Sequence, residues 1–314
     1  MKPAFLGYDE ARATLGWTEA VGALRAGHML PRAELHDLLT GPTDALLLTR
    51  TAHIEGMGYG VKVESVFSGN AAAGLPNTHG AVLVYAPDNG ILRGIIDSQA
   101  VTDIKTAADS VLGASLLARP DSRHLLIVGA GHVAANLAHA YCAAFPQLDT
   151  ITIWARRTEQ AYRLAGQLGT LPVSVTVSHD LPSALADADI VSSATQAREP
   201  LLPGRWVRPG THIDLVGAFT ADMREADDAL IAAGSLYVDS KETTRHIGDV
   251  AGPIASGAVG ADHVRGDLYD LLANAGPPIK SPAQTTIFKN GGGGHLDLMV
   301  AHAMLAKQSS RDQV

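Results

Sequence analysis

The run Leu125-Leu126-Ile127-Val128-Gly129-Ala130-Gly131-His132-Val133-Ala134 constrains this chain more than any other. Four consecutive apolar residues with no polar face read as a buried strand. They lead into a glycine turn and an alanine-rich helix over His132 to Phe145. In that context each small residue has a task. Gly129 permits the tight turn, Gly131 lets backbone N–H groups approach an anion, and Ala134 lets helix and strand pack closely. A strand feeding such a turn and helix begins a dinucleotide-binding unit, with Gly129, Ala130, Gly131, His132 and Val133 around the pyrophosphate.

The same alternation continues downstream. Thr150 to Ala155, Val173 to Val177, Ile190 to Ala194, Thr211 to Val216 and Leu236 to Asp239 read as short apolar strands separated by helical stretches. This predicts a parallel sheet covered on both faces, a doubly wound Rossmann-type α/β domain. Thr195 and Gly217 follow two of these strands, where ligands gather in open α/β sheets, and are candidate cofactor contacts. The second strand ends Ile153-Trp154-Ala155-Arg156-Arg157-Thr158. The acid that would bond a ribose 2′-hydroxyl is missing there, and two guanidinium forks suited to a 2′-phosphate stand in its place. The pattern predicts NADP(H) as the preferred cofactor, with NAD(H) possible.

The first third has another texture. Tyr8 to Ala26 reads as a helix. Strands follow over Ala45 to Ile54, Gly60 to Phe67, Gly80 to Tyr85 and Ile91 to Ile96, the last two joined by the turn Pro87-Asp88-Asn89-Gly90. A long helix from Gln99 to Ala118 ends at Arg119-Pro120-Asp121-Ser122. Near the end, Thr285 to Phe288 is strand-like, Gly291 to Gly294 is a glycine run, and Leu296 to Lys307 is helical.

Composition excludes several function classes. A net charge of -8 over 314 residues argues against a nucleic-acid binder. No apolar run of about 18 residues predicts a membrane span. Met1 to Glu10 lacks a signal-like apolar core, and the single cysteine, Cys142, fits a reducing compartment, so a cytoplasmic location is expected. The 13 histidines include no His-Glu-x-x-His or Cys/His pairing, so no metal site is expected.

Several short segments recur in an order that points to one family. They are Gly60-Val61-Lys62, Gly74-Leu75-Pro76, Asp103-Ile104-Lys105-Thr106-Ala107-Ala108, Ile127-Val128-Gly129-Ala130-Gly131, Val216-Gly217-Ala218, Val238-Asp239-Ser240 and Ile287-Phe288-Lys289. The ordered set resembles the ornithine cyclodeaminase/mu-crystallin family. The resemblance implies a Rossmann domain (residues 119–285) inserted into an α+β substrate and dimerisation domain built from residues 1–118 and 286–314. It also implies a homodimer and α-amino or α-imino acid substrates.

Lys62, on a strand between two valines, matches the family's substrate-contacting lysine. Lys105 stands where the family has an arginine that clamps the substrate carboxylate; it keeps the charge and loses the bidentate fork. Phe219 occupies the place of the aspartate that cyclodeaminases use, and phenylalanine accepts no proton, although Asp222 lies close by. Thr78 and His79, in a loop near the family's substrate contacts, are candidates for hydrogen bonding and proton supply. His295 is a candidate cofactor contact. These features predict an NAD(P)H-dependent reductase of a cyclic imino acid, with Lys62, Lys105 and His79 catalytic, and Lys62, Thr78, Lys105 and Phe219 binding substrate. The competing expectations are ornithine cyclodeamination, an alanine-type dehydrogenase, or a non-catalytic NADPH-binding protein.

Overall fold

The computed structural model describes residues 2–273 and 281–311. Along the chain, β1 (Ala4–Leu6), α1 (Tyr8–Arg12) and α2 (Trp17–His28) precede β2 (Glu34–Thr40), β3 (Ala45–Ile54), β4 (Gly58–Phe67), β5 (Thr78–Tyr85), β6 (Leu92–Asp97) and the long α3 (Ser98–Leu117). Next come β7 (His124–Val128), α4 (His132–Ala144), β8 (Thr150–Trp154), α5 (Thr158–Gln167), β9 (Ser174–Val177), α6 (Leu181–Asp187), β10 (Ile190–Ser193) and β11 (His212–Leu215). The remainder is α7 (Asp228–Ala233), β12 (Ser235–Val238), α8 (Lys241–Thr244), α9 (Gly248–Ala255), β13 (Val264–Asp267), α10 (Leu268–Ala273), β14 (Thr286–Lys289) and α11 (Gly294–Arg311). No described helix is long and apolar enough to cross a membrane.

Two compact units result, one of Met1–Lys105 with Gly293–Val314 and the other of Thr106–Gly292. The first contains a six-stranded sheet in the order β1-β6-β5-β4-β3-β2, antiparallel except for the parallel β1/β6 pair. Burial alternates along β4, with Gly60, Lys62 and Glu64 buried on one face. That face receives α11. Gly60 is required there, because a Cβ would lie 2.9 Å from Leu298 Cβ. The single helix expected over Tyr8 to Ala26 is two helices. Gly16 restarts the chain as the N-cap of α2, its N–H donating to Glu19 Oε2 at 2.8 Å. Edge strand β2 was not anticipated, since Glu34–Thr40 is largely exposed and shows no two-residue periodicity.

The second unit is the doubly wound fold. Its eight strands, ordered β13-β12-β14-β11-β10-β7-β8-β9, are all parallel. Strands β7, β10 and β11 are buried along their length apart from His124 at the start of β7, which accounts for their lack of a polar face. The units divide within α3 and after β14, not at the 118/119 and 285/286 boundaries expected. The reason is packing: β14 is an interior strand between β11 and β12, and the second half of α3 lies on it so closely that a Cβ at Gly113 would meet the Phe288 ring at 2.6 Å.

Candidate active site

In the second unit the register aligns the carboxyl ends of the central strands. Val128 pairs with both Trp154 and Ser193, and Ser193 pairs with Leu215. The strand order reverses at β7/β10, so a crevice for a ligand is expected outside this edge. Gly129 sits there with φ +123°, its N–H donating to Trp154 O at 2.8 Å; a Cβ on it would lie 2.5 Å from Ala194 O. Only glycine satisfies both demands. Gly131 is the N-cap of α4, and Gly131, His132 and Val133 are exposed while Ala134 is fully buried against the strand. A Cβ at Gly131 would meet nothing within 4 Å, so space lies open at the helix N-terminus, where backbone N–H groups favour an anion. This is a fit for a dinucleotide pyrophosphate. Arg156 and Arg157 are exposed at the adjoining end of β8, Arg157 Nε donating to Gln160 Oε1 at 3.1 Å.

Thr195 and Gly217, half-buried beyond β10 and β11, meet through a residue the sequence reading overlooked. Glu225 is fully buried. Its Oε1 accepts from Ser193 Oγ (2.6 Å), Thr195 N (2.8 Å) and Thr195 Oγ1 (2.8 Å), and its Oε2 accepts from Gly217 N (2.6 Å). Behind it, Asp249 Oδ1 accepts from Glu225 N at 2.8 Å and Asp249 Oδ2 lies 3.7 Å from the buried Lys289 Nζ. Burial pushes the Glu225 carboxyl up to about 7, the Lys289 charge opposing the shift and the Asp249 charge adding to it. No local sequence signal marks Glu225, which lies in the irregular segment between β11 and α7.

In the first unit, the structure brings Lys62 and Lys105 into one buried patch. Lys62 Nζ donates to Thr102 Oγ1 on α3, and Lys105 lies one turn further along the same helix; both lysines are about 5% exposed. Lys62 is thus an inward-facing residue of an alternating strand. Two carboxylates that the sequence reading missed flank its ammonium, Glu64 Oε2 at 3.6 Å and Asp297 Oδ1 at 3.8 Å. Glu64 also accepts from Ser98 Oγ at 3.0 Å, whereas the carboxylate of Asp297, 1% exposed, accepts no hydrogen bond among the described residues. The two-residue spacing from Lys62 could have found Glu64; Asp297 depends on how α11 is seated.

Thr78 shares the Lys62 face of the sheet, its hydroxyl 3.4 Å from Gln99 Oε1. His79 does not. It pairs with Ser65 and is exposed on the opposite face, so strand alternation separates it from Lys62. His295 is fully buried in the first unit, edge-on to His28 with ring centroids 5.6 Å apart. Burial, reinforced by the neighbouring His28, Lys105 and Arg50, holds its imidazole well below the usual range, so the ring is neutral near pH 7. It lies in the first unit within electrostatic reach of Lys105. Phe219 is 60% exposed, and Asp222 beside it pairs with Arg198 and accepts from Thr220 Oγ1.

The sequence profile described as the ornithine cyclodeaminase/mu-crystallin family matches residues 38–311. A Delta(1)-pyrroline-2-carboxylate reductase of Paracoccus denitrificans is 57% identical over 300 residues, 95% of each chain. Among solved structures, the iminosuccinate reductase of Paracoccus denitrificans in complex with NAD+ is 26% identical with a TM-score of 0.91, covering 99% of this chain and 97% of that one. The Thermococcus litoralis Delta(1)-pyrroline-2-carboxylate reductase in complex with NADH and L-proline is 24% identical with a TM-score of 0.91, covering 98% of each chain.

Proposed function

Since the chain belongs to the ornithine cyclodeaminase/mu-crystallin family, we propose that it is a nicotinamide-dinucleotide-dependent reductase of Δ1-pyrroline-2-carboxylate or its six-membered homologue, forming L-proline or L-pipecolate. The observation that carries this reading is the 57% identity, over 95% of both chains, to a pyrroline-2-carboxylate reductase. The reaction adds a hydride to the imine carbon and a proton to the imine nitrogen; the reduced dinucleotide, when bound, supplies the hydride. The chain's own residues supply the rest. Lys105 offers a buried cation for the substrate carboxylate, and Lys62, with a polarised N–H and two acids balancing its charge, is the proton donor to nitrogen. The Phe219 side chain, which cannot accept a proton, supports imine reduction over cyclodeamination. Dinucleotide oxidation with the purified protein and Δ1-pyrroline-2-carboxylate, with L-proline as product, is the test. No turnover with either NADPH or NADH, or release of ammonia from ornithine instead, overturns the reading.

The absence of an acid after β8, with Arg156 and Arg157 exposed there, supports NADPH over NADH. Replacing both arginines by alanine is expected to raise the KM for NADPH about 10- to 100-fold, the worth of one or two charge-assisted contacts. The KM for NADH should change less than about threefold, because no contact to the 2′-phosphate is involved. Equal effects on the two cofactors would mean that the arginines do not read the 2′-phosphate. A homodimer formed through the first unit is supported by edge strand β2, where Leu38 and Leu39 are each 63% exposed.

A further inference from the structure

The carboxylate of Glu225 makes four hydrogen bonds in the second unit, and every one is accepted from a group at the ends of β10 and β11. Thr195 is held twice, through its N–H and its hydroxyl, and Gly217 once, through its N–H. The two segments approach so closely that a Cβ on Gly217 would lie 1.9 Å from Thr195 O. In a doubly wound sheet the pyrophosphate sits at the first strand's turn and the adenosine extends toward the second strand, here β8. The other half of the dinucleotide must then extend the opposite way, across β10 and β11, where Thr195 and Gly217 form the rim.

We propose that Glu225 is a positioning residue for the nicotinamide end of the cofactor, acting through Thr195 and Gly217, and that it does so only as a carboxylate. The inference rests on the dinucleotide reading above. The chemistry is one of charge and lone pairs: three donors share Oε1 and one reaches Oε2, so a proton on Oε1 displaces a bond and a proton on either oxygen removes the charge that strengthens all four. The charged groups facing Glu225 are Asp249 on α9 and Lys289 on β14, with the Ser193 and Thr195 hydroxyls on its strand side. Burial raises the carboxyl to about 7, the Lys289 ammonium opposing the shift and the Asp249 charge adding to it, so its ionisation is a variable of the working range. Below about pH 7 a protonated Glu225 holds Thr195 and Gly217 less firmly, and the cofactor's seat loosens.

The test is dinucleotide binding without turnover, followed by quenching of protein fluorescence or by calorimetry between about pH 5.5 and 8.5. For the wild type, affinity for NADPH or NADH, whichever binds more tightly, is expected to weaken about tenfold on the acid side, with a midpoint near 7. Glu225→Gln, which carries donors where acceptors are needed, should bind weakly at every pH and lose the midpoint. Asp249→Asn keeps an oxygen for the Glu225 N–H but removes the like charge. It should bind as the wild type does at high pH with the midpoint moved to lower pH, a displacement that a merely structural role would not produce. A wild-type affinity that is flat across the range, or a midpoint unmoved in Asp249→Asn, overturns the proposal. Failure of the wild type to bind either dinucleotide at any pH overturns the cofactor reading and this inference with it, an outcome distinct from a flat profile.

Discussion

Replacing Lys62 by methionine is expected to lower kcat/KM for Δ1-pyrroline-2-carboxylate by about 10³-fold, the range associated with loss of a positioned proton donor. The substitution keeps most of the apolar stem, so the packing of β4 under α11 is retained. The ammonium is lost, and with it the cation between Glu64 and Asp297. Two buried carboxylates would then remain without their cation, with only the Ser98 hydroxyl among the described residues bonding one of them, which should destabilise the protein by about 3–5 kcal/mol. Dinucleotide affinity provides the control, since the phosphate turn lies in the second unit and should be unaffected. A Lys62→Met protein retaining more than about a tenth of wild-type kcat/KM would exclude Lys62 as the proton donor.

The features legible in the sequence were those whose cause is local. The apolar run at Leu125–Val128 reads as a buried strand because it is covered on both faces, and the glycines after it are fixed by backbone geometry that can be inferred without the rest of the fold. Lys62 was legible for a similar reason, an ionisable group in an apolar strand. The residues that escaped notice are set by tertiary contact. Asp297 reaches Lys62 only because α11, nearly at the end of the chain, packs on β4. Glu225 bonds groups 8, 30 and 32 residues away in the sequence. His79 fails for the opposite reason: one residue of strand alternation decides its face, and a loop reading could not supply the register that pairs it with Ser65. Thr285 to Phe288 reads as a strand, but the 285/286 boundary leaves it outside the Rossmann domain, whereas its burial on both faces suits the parallel sheet in which it lies.

A comparable effect on folding stability, with a defined pH dependence, is expected at Lys289. Its Nζ is fully buried, donates to Leu215 O at 2.9 Å, lies 3.7 Å from Asp249 Oδ2, and opposes the upward shift of Glu225. In Lys289→Met the apolar stem still fills the space beside β11, but Asp249 and Glu225 share the interior without the Lys289 ammonium. The cost at about pH 8 should be about 3–5 kcal/mol, a fall in Tm of roughly 10 °C for a unit of this size. The sign of the pH dependence follows from Glu225. Its carboxyl, raised in the folded protein to about 7 from an ordinary 4.5, favours folding below the ordinary value, and that contribution is lost as pH rises through 7. Removing the cation raises the folded value further, so in the variant the loss continues to higher pH. The wild-type and Lys289→Met melting temperatures should therefore diverge as pH increases and converge toward about pH 5.5, where Glu225 is protonated in both. Thermal unfolding at four or five pH values measures this directly. A Tm difference that is independent of pH would mean that Lys289 stabilises the sheet by its hydrogen bond to Leu215 O and its packing, without compensating the two acids.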